Sequence, residues 1–124
     1  MSGQIELCVI GNLVGDIEIR TITTGKTVAN FTVAQNSREY DKLSGGFKDG
    51  NTVFVRCVAW GSLAENIGKS LSKGMSVIAH GHIAQRSYQS NSGEKRTVLE
   101  LSVDHAGPSL RYATAQVKRE NKTT

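Results

Sequence analysis

Thr52-Val-Phe-Val-Arg-Cys-Val-Ala-Trp60 is the stretch of this 124-residue chain that decides its fold. We predict that it forms a β-strand, in which successive side chains point to opposite faces. One face places Arg56 between two aromatic rings, Phe54 and Trp60. The other face is wholly apolar and predicts a core, with Val53, Val55, Cys57 and Ala59.

The face with the two rings is costly to leave in water unless a flat, negatively charged ligand covers it. Nucleic acid fits this description, because bases stack on aromatic rings and phosphates bind Arg and Lys. The alternative is that Phe54 and Trp60 pack under a loop or a partner subunit, since strands buried on both faces are common. This strand alone does not separate the two interpretations.

The residues before this strand predict two more strands and a long loop. Alternating apolar residues predict a first strand over residues 5–22, bent at Gly11 and Gly15. A second strand is predicted over residues 26–35. Residues 36–51 are polar and glycine-rich, so we expect a long connecting loop that presents basic and aromatic side chains.

After Trp60 the apolar period changes from that of a strand to that of a helix. Ser62 and Glu65 match a capping box at the start of this helix. Gly74 suits a left-handed stop at its end. One stripe of the helix is apolar, with a residue at every fourth position: Leu63, Ile67 and Leu71.

Two final strands are predicted over residues 75–88 and 96–104, with a polar turn at 89–94. The order strand, strand, strand, helix, strand, strand is typical of a small Greek-key barrel of the oligonucleotide-binding (OB) type. We therefore predict an all-β fold with five strands and one helix between strands 3 and 4. We expect one OB domain at residues 1–106 and a basic, flexible tail at 107–124.

The formal net charge of +4 at pH 7 lies mainly at the C-terminus. Residues 111–124 hold four of the 15 Lys and Arg residues but only one of the 11 Asp and Glu residues. The barrel is therefore nearly neutral, and overall charge is weak evidence for nucleic acid.

Several functions are not expected from these residue types. No apolar run approaches a membrane span and no leader begins the chain, so we expect a cytoplasmic, nucleoid-associated protein. Cys8 and Cys57 are too few for a disulfide framework and are expected to be buried, reduced thiols. His80 and His82 share a strand face, but two ligands make a poor metal site. No catalytic constellation is visible, so we expect no enzyme activity, no cofactor and no metal.

Several short features follow one another along the chain in a particular order and spacing. They are Gly11-Asn12-Leu13, Asp16, Gly25, Val28-Ala29-Asn30-Phe31, Thr52 to Gly61, Leu63-Ala64-Glu65, Lys73-Gly74, Gly81, Arg86 and Tyr88. Together they resemble the bacterial single-stranded DNA-binding protein family over residues 3–106. The resemblance implies a homotetramer of OB folds that binds and protects single-stranded DNA, without strong sequence preference, in replication, recombination or repair.

The resemblance also implies which residues contact DNA. Bases are expected to stack on Tyr40, Phe54, Trp60 and Tyr88. Phosphates are expected to contact Arg56, Lys73 and Arg86, and the two loops that carry basic and aromatic residues add Arg38, Lys42, Lys48 and Arg96. Many members carry tryptophan at three of these stacking positions and phenylalanine at the position of Trp60. Stacking is therefore retained but its strength is redistributed among the rings.

The C-terminus departs from the family. Housekeeping members have a long linker that ends in an acidic, hydrophobic tip, which recruits other genome-maintenance proteins. This chain ends in Gln-Val-Lys-Arg-Glu-Asn-Lys-Thr-Thr, so we infer a paralogue without that tip and expect no recruitment through it. A shortened chain would look the same. The basic tail is expected to add nonspecific affinity for DNA.

Two further alternatives stay open. The OB fold could bind RNA or serve as a scaffolding subunit, like primosome accessory proteins, because stacking and phosphate contacts discriminate DNA from RNA poorly. In the family, the first strands of two subunits pair across a two-fold axis, which implies that Cys8 lies near its own copy. An intersubunit disulfide at Cys8 is then an alternative to the reduced thiol that a reducing compartment favours.

Overall fold

The computed structural model describes residues 4–41 and 45–120, and of residues 37–41 and 47–49 it describes only the backbone. The strands close into a barrel in which neighbours follow the order β1-β2-β3-β5-β4. This order confirms the predicted five-stranded OB barrel with one helix between the third and fourth strands. The elements are β1 (Glu6–Thr21), β2 (Thr27–Asp41), β3 (Gly46–Trp60), α1 (Gly61–Ser70), β4 (Ser76–Gln89) and β5 (Lys95–Pro108).

Strand β1 closes the barrel because it pairs with β4 through its first half and with β2 through its second half. A bulge lies between Val14 and Glu18, and Gly15 within it has a φ of 74°. Residues with a Cβ rarely adopt this conformation, so the glycine suits the predicted bend. At Gly11 a Cβ would collide with the carbonyl oxygen of Ala34, so β1 and β2 approach closely there.

The core confirms most of the apolar face predicted for strand 52–60. Cys57 and Ala59 are buried, and Val55 packs against the same cluster. The prediction of a buried side chain is wrong for Val53, which is 56% exposed. Both faces of the strand are exposed from residue 52 to residue 54, where β3 pairs with β2 alone and has no barrel interior behind it.

Residues 36–51 are not the long loop that we expected. Strands β2 and β3 continue through most of this segment, with backbone pairing as far as Asp41 opposite Gly46. An antiparallel hairpin is held by backbone hydrogen bonds, so polar and glycine-rich residues can form it without a buried face. The polar turn expected at 89–94 is present, closed by a bond from the Ser90 amide to the Glu94 carbonyl.

Helix α1 covers one end of the barrel with its predicted apolar stripe. Ile67 and Leu71 are buried, and Leu63 packs against the core. Gly74 has a left-handed φ of 90°, as predicted, but it lies in the turn beyond the helix, where its amide donates to the Leu13 carbonyl. No helix in the described residues has the length and apolarity that crossing a membrane requires.

The predicted capping box at the start of α1 is wrong. The helix begins at Gly61, with Trp60 as its N-cap residue, and no side chain caps it. Ser62 is therefore already inside the helix and cannot act as the cap. The carboxylate of Glu65 instead accepts a hydrogen bond from the Thr27 hydroxyl at 3.3 Å, which ties the helix to β2.

The segment after β5 is mostly exposed. Strand β5 runs to Pro108, past the strand end predicted at residue 104. The Ser109 amide then donates to the Ser76 carbonyl at 2.8 Å, so this segment begins beside β4. Residues 109–120 have no helix or strand. The domain boundary at 106 and the flexibility of the tail stay predictions.

Candidate nucleic-acid interface

A cleft of about 620 Å³ lies on the outer face of the barrel, and all five strands contribute to it. Strand pairing explains why, because residues paired across neighbouring strands project from the same face. Thr32 of β2 lies opposite Arg56 of β3, and Val58 of β3 is paired with Ser102 of β5. Side chains that line the cleft include Asp16, Glu18, Arg20, Asn30, Thr32, Arg56, Val58, Trp60, Ala84, Arg86, Glu100 and Ser102.

The three residues singled out on strand β3 share one exposed face. Phe54 is 63% exposed and Trp60 is 45% exposed, with Arg56 also exposed between them. Neither ring is buried under a loop of the described chain. Packing under a partner subunit stays an alternative. Arg56 forms no ion pair with a described residue. It is therefore a cation of the cleft that can accept an anion without breaking an ion pair within the described chain.

Arg86 is held in the cleft by a carboxylate. Its Nη2 atom donates to Oε2 of Glu100 at 3.0 Å. The Glu100 side chain is only 12% exposed, whereas that of Arg86 is 54% exposed. The Arg86 guanidinium also lies 6.0 Å from the ring centroid of Tyr88, within the range of a cation–π contact. Glu100 thus fixes one edge of the guanidinium while the remainder faces solvent.

The cleft is balanced in formal charge. Three carboxylates line it, from Asp16, Glu18 and Glu100, and so do three guanidinium groups, from Arg20, Arg56 and Arg86. The pair between Arg20 and Glu18 is long, at 3.9 Å, and exposed, so it contributes at most about 1 kcal/mol. Any attraction for an anion must therefore come from the placement of individual cations.

Four predicted contact residues with described side chains lie outside the cleft lining: Phe54, Lys73, Tyr88 and Arg96. Tyr88 and Arg96 are opposite each other on the β4–β5 hairpin, and Arg96 is paired with Glu94 at 3.2 Å. Lys73 lies in the turn after α1 and does not line the cleft. The structure therefore brings together Arg56, Trp60 and Arg86, with Phe54 and Tyr88 at neighbouring positions on their strands.

The remaining predicted contacts belong to the β2–β3 hairpin. The backbone of Arg38, Tyr40 and Lys48 lies in that hairpin, but their side chains are outside the described part of the structure. Lys42 lies outside the described residues altogether. Their predicted contacts with DNA are carried forward as part of the proposal below.

The sequence analysis missed several residues that line the cleft, and Glu100 is the one that contacts a predicted site residue, Arg86. The outward position of Glu100 could be predicted from the alternating sequence pattern. Leu101 and Val103 are apolar and buried, so their neighbours Glu100 and Ser102 face outward. The ion pair with Arg86 could not be found in the same way, since it depends on the register between β4 and β5.

The two cysteines differ in environment. Cys57 is buried as expected, and burial raises the pKa of its thiol to about 12, so it is an inert core residue. Cys8 is exposed, so the expectation of a buried thiol is wrong for the single chain. It lies on β1 opposite His80 of β4. The intersubunit disulfide at Cys8 stays a prediction.

The two histidines on β4 each lie near a carboxylate on the outer face of the barrel. His80 Nε2 is 3.4 Å from Glu6 Oε1, and His82 Nδ1 is 3.8 Å from Asp104 Oδ2. Within residues 4–41 and 45–120, no group of three or more His, Cys, Asp or Glu side chains is arranged to hold a metal ion.

Comparison with known proteins gives consistent matches over most of the chain. Residues 5–109 match the model of the single-strand binding protein family. The "Single-stranded DNA-binding protein" of Bifidobacterium longum (strain NCC 2705) is 50% identical over 121 residues, which cover 98% of this chain and 56% of that protein. The protein of the same name from Mycobacterium tuberculosis (strain ATCC 25618 / H37Rv) is 47% identical over 123 residues, covering 99% and 75%.

A solved structure shares the fold. The small single-stranded DNA-binding protein from Streptomyces coelicolor superposes with a TM-score of 0.74 and 27% sequence identity, covering 88% of this chain and 97% of that one. The chain thus spans nearly all of this small protein but little more than half of the Bifidobacterium relative.

Proposed function

The chain belongs to the single-strand binding protein family, and we propose that it binds and protects single-stranded DNA through the cleft on the outer face of its barrel. One observation carries this proposal: Phe54 and Trp60 are exposed on one face of β3 with Arg56 between them. Bases stack on the two rings and a phosphate binds the arginine. As a member of this family, the chain acts by binding and not as an enzyme.

The spacing of the two rings suits an extended single strand. Phe54 and Trp60 are six residues apart on β3, which corresponds to about 20 Å along a strand. At that separation the rings stack on different bases and cannot clamp the same one. Arg56 lies two residues from Phe54, about 7 Å, and reaches a phosphate between the stacked bases. Stacking contributes on the order of 1–3 kcal/mol per base and reads no sequence.

Further contacts extend this site along the two hairpins. We propose that Tyr88 stacks a base and that Arg86 and Arg96 contact phosphates on the β4–β5 hairpin, supported by the Arg86–Tyr88 contact. Lys73 is proposed as a phosphate contact on the family resemblance alone. On the β2–β3 hairpin the proposal assigns stacking to Tyr40 and phosphate contacts to Arg38, Lys42 and Lys48.

The family also suggests a homotetramer, which we include in the proposal. Supporting it, the outer face of β1 and β4 exposes an apolar pair, Ile10 opposite Ile78, and Ile5 is exposed nearby. A second copy would remove these side chains from water. Such a ligand implies a role in replication, recombination or repair. These processes place the protein in the cytoplasm, close to the nucleoid.

Fluorescence anisotropy of labelled oligonucleotides tests the proposal. We expect tight binding of oligo-dT, weaker binding of a matched oligo-U and little binding of duplex DNA, with all affinities falling as salt increases. A preference for oligo-U would assign the protein to RNA. Absence of binding to either single strand at low salt would leave a scaffolding role and overturn the proposal.

A further inference from the structure

A second groove, of about 1130 Å³, lies outside the cleft. One wall is formed by Pro108 at the end of β5 and by the segment that follows it, residues 109–120. The other wall is formed by the end of α1, the turn that follows it and Asn12 of β1. No residue that lines this groove also lines the proposed binding cleft, so the cleft does not account for it.

An aromatic ring lines this groove, and an arginine next to it in the chain lies beside the ring, as Arg86 lies beside Tyr88. Tyr112 lines the groove and is 87% exposed. The guanidinium of Arg111 lies 5.5 Å from its ring centroid, close to the 6.0 Å between Arg86 and Tyr88. A ring with one open face and a cation beside it can stack a base and bind the adjoining phosphate.

The charged side chains of the groove also favour an anion. Lys69 and Lys118 line it, and Glu120 is its one carboxylate among the described residues. Glu120 approaches Lys69 at 4.0 Å, but both side chains are largely exposed. Such a pair contributes little, so a phosphate can replace the carboxylate at low cost.

The groove is continuous with the proposed binding face. Asn12 lies opposite Ala34, and Ala34 lies opposite Phe54, so the three residues form one row across β1, β2 and β3. Neighbouring strands are about 4.8 Å apart, which places the backbone of Asn12 about 10 Å from that of Phe54. A single strand that leaves Phe54 can reach the groove within a few nucleotides.

We propose that this groove is a second binding site for the same DNA strand, in which a base stacks on Tyr112. Arg111, Lys69 and Lys118 bind the phosphates there. The inference rests on the proposed function, because it extends the path of a strand already bound in the cleft. A protein partner is the other conceivable occupant, since Leu110 and Val117 are exposed and apolar. The ring beside a cation and the two lysines favour DNA.

The test compares Tyr112→Ser with Leu110→Ser, which removes an exposed apolar side chain outside the groove lining. Two oligo-dT lengths are used: about 8 nucleotides, within the ~4–16 that one OB fold covers, and about 30 nucleotides. We expect Tyr112→Ser to weaken binding of the longer strand about tenfold, the loss of one stacked base, and to leave the shorter one within about twofold. Leu110→Ser should match the wild type with both. A 30-nucleotide strand carrying 5-iododeoxyuridine should crosslink to Tyr112.

The outcomes separate this inference from the proposed function. Trp60 emission reports occupancy of the cleft in every variant. If the longer strand quenches Trp60 but Tyr112→Ser binds it as the wild type does, or no crosslink forms at Tyr112, the second site is wrong while the cleft stands. If Tyr112→Ser lowers the mass in sedimentation, the groove belongs to a second copy and the inference is overturned. If no strand quenches Trp60 in the wild type, the proposed function itself fails.

Discussion

Glu100 of β5 accepts a hydrogen bond from Arg86 of β4 at 3.0 Å, in the floor of the cleft that we propose for DNA. The carboxylate is nearly buried, whereas the guanidinium is half exposed. A guanidinium has five N–H donors, and this bond uses one of them. Glu100 therefore orients Arg86 but also cancels its charge where a phosphate would bind.

Replacing Glu100 by glutamine should strengthen DNA binding. Glu100→Gln keeps the size of the side chain and an acceptor for Arg86 but removes the negative charge from the cleft. We expect several-fold tighter binding of oligo-dT at low salt. The slope of log affinity against log salt should steepen by up to about 0.7, the value for one neutralised phosphate on a single strand. Weaker binding by Glu100→Gln would show that the ionised carboxylate is needed to position Arg86.

The close approach of β4 and β5 at Gly81 predicts a stability effect. A Cβ at Gly81 would collide with the backbone of Ser102, whereas a Cβ at Gly46, also in a strand, meets no described atom within 4 Å. Gly81→Ala should lower the free energy of unfolding by about 1–3 kcal/mol, as for overpacking of an interior. Gly46→Ala should change it little. Urea denaturation at a fixed protein concentration measures both variants, and equal stabilities would contradict the collision.

The exposed thiol of Cys8 predicts a redox-dependent dimer. If first strands pair across a two-fold axis, Cys8 lies near its own copy, and opposed residues on antiparallel strands are within the Cα distance of a disulfide. Protein treated with a mild oxidant should run as a dimer on a non-reducing gel and as a monomer after reduction. Cys8→Ser should abolish the dimer band, while Cys57→Ser, at a buried thiol, should keep it. No band after oxidation would reject this strand pairing.

The basic tail predicts a change in salt dependence. Residues 111–124 carry four cations and one carboxylate, whereas the rest of the chain is nearly neutral. Deleting these residues should flatten the slope of log affinity against log salt, by about 0.7 for each phosphate that the tail neutralises in the intact protein. Titrations of oligo-dT at several salt concentrations measure the slope, and an unchanged slope would show that the tail takes no part.

The barrel and the exposed face of β3 could be predicted because they depend on local patterns. Side chains alternate along strand 52–60, so Cys57 lies on one face and Arg56 and Trp60 lie on the other, whichever strands are its neighbours. The change of period after Trp60 marks the helix, and the order of elements then leaves few topologies. These features need no knowledge of distant contacts.

The features that were missed depend on pairing between strands. The ion pair of Glu100 with Arg86 follows from the register of β4 and β5, which the local pattern does not specify. Val53 is exposed because the β2–β3 hairpin continues beyond the barrel, and its polar residues resemble a loop in sequence. The N-cap of α1 is Trp60, two residues before the predicted Ser62, so Ser62 lies inside the helix.

Trp60 provides the most direct test of the central claim, that bases stack in the cleft. It is the only tryptophan in the chain, and its ring is 45% exposed within the cleft lining. Titration with oligo-dT should quench its emission strongly at low salt, high salt should restore the emission, and duplex DNA should have little effect. If anisotropy shows that labelled oligo-dT binds while the emission of Trp60 stays unchanged, the strand lies elsewhere and the account is contradicted.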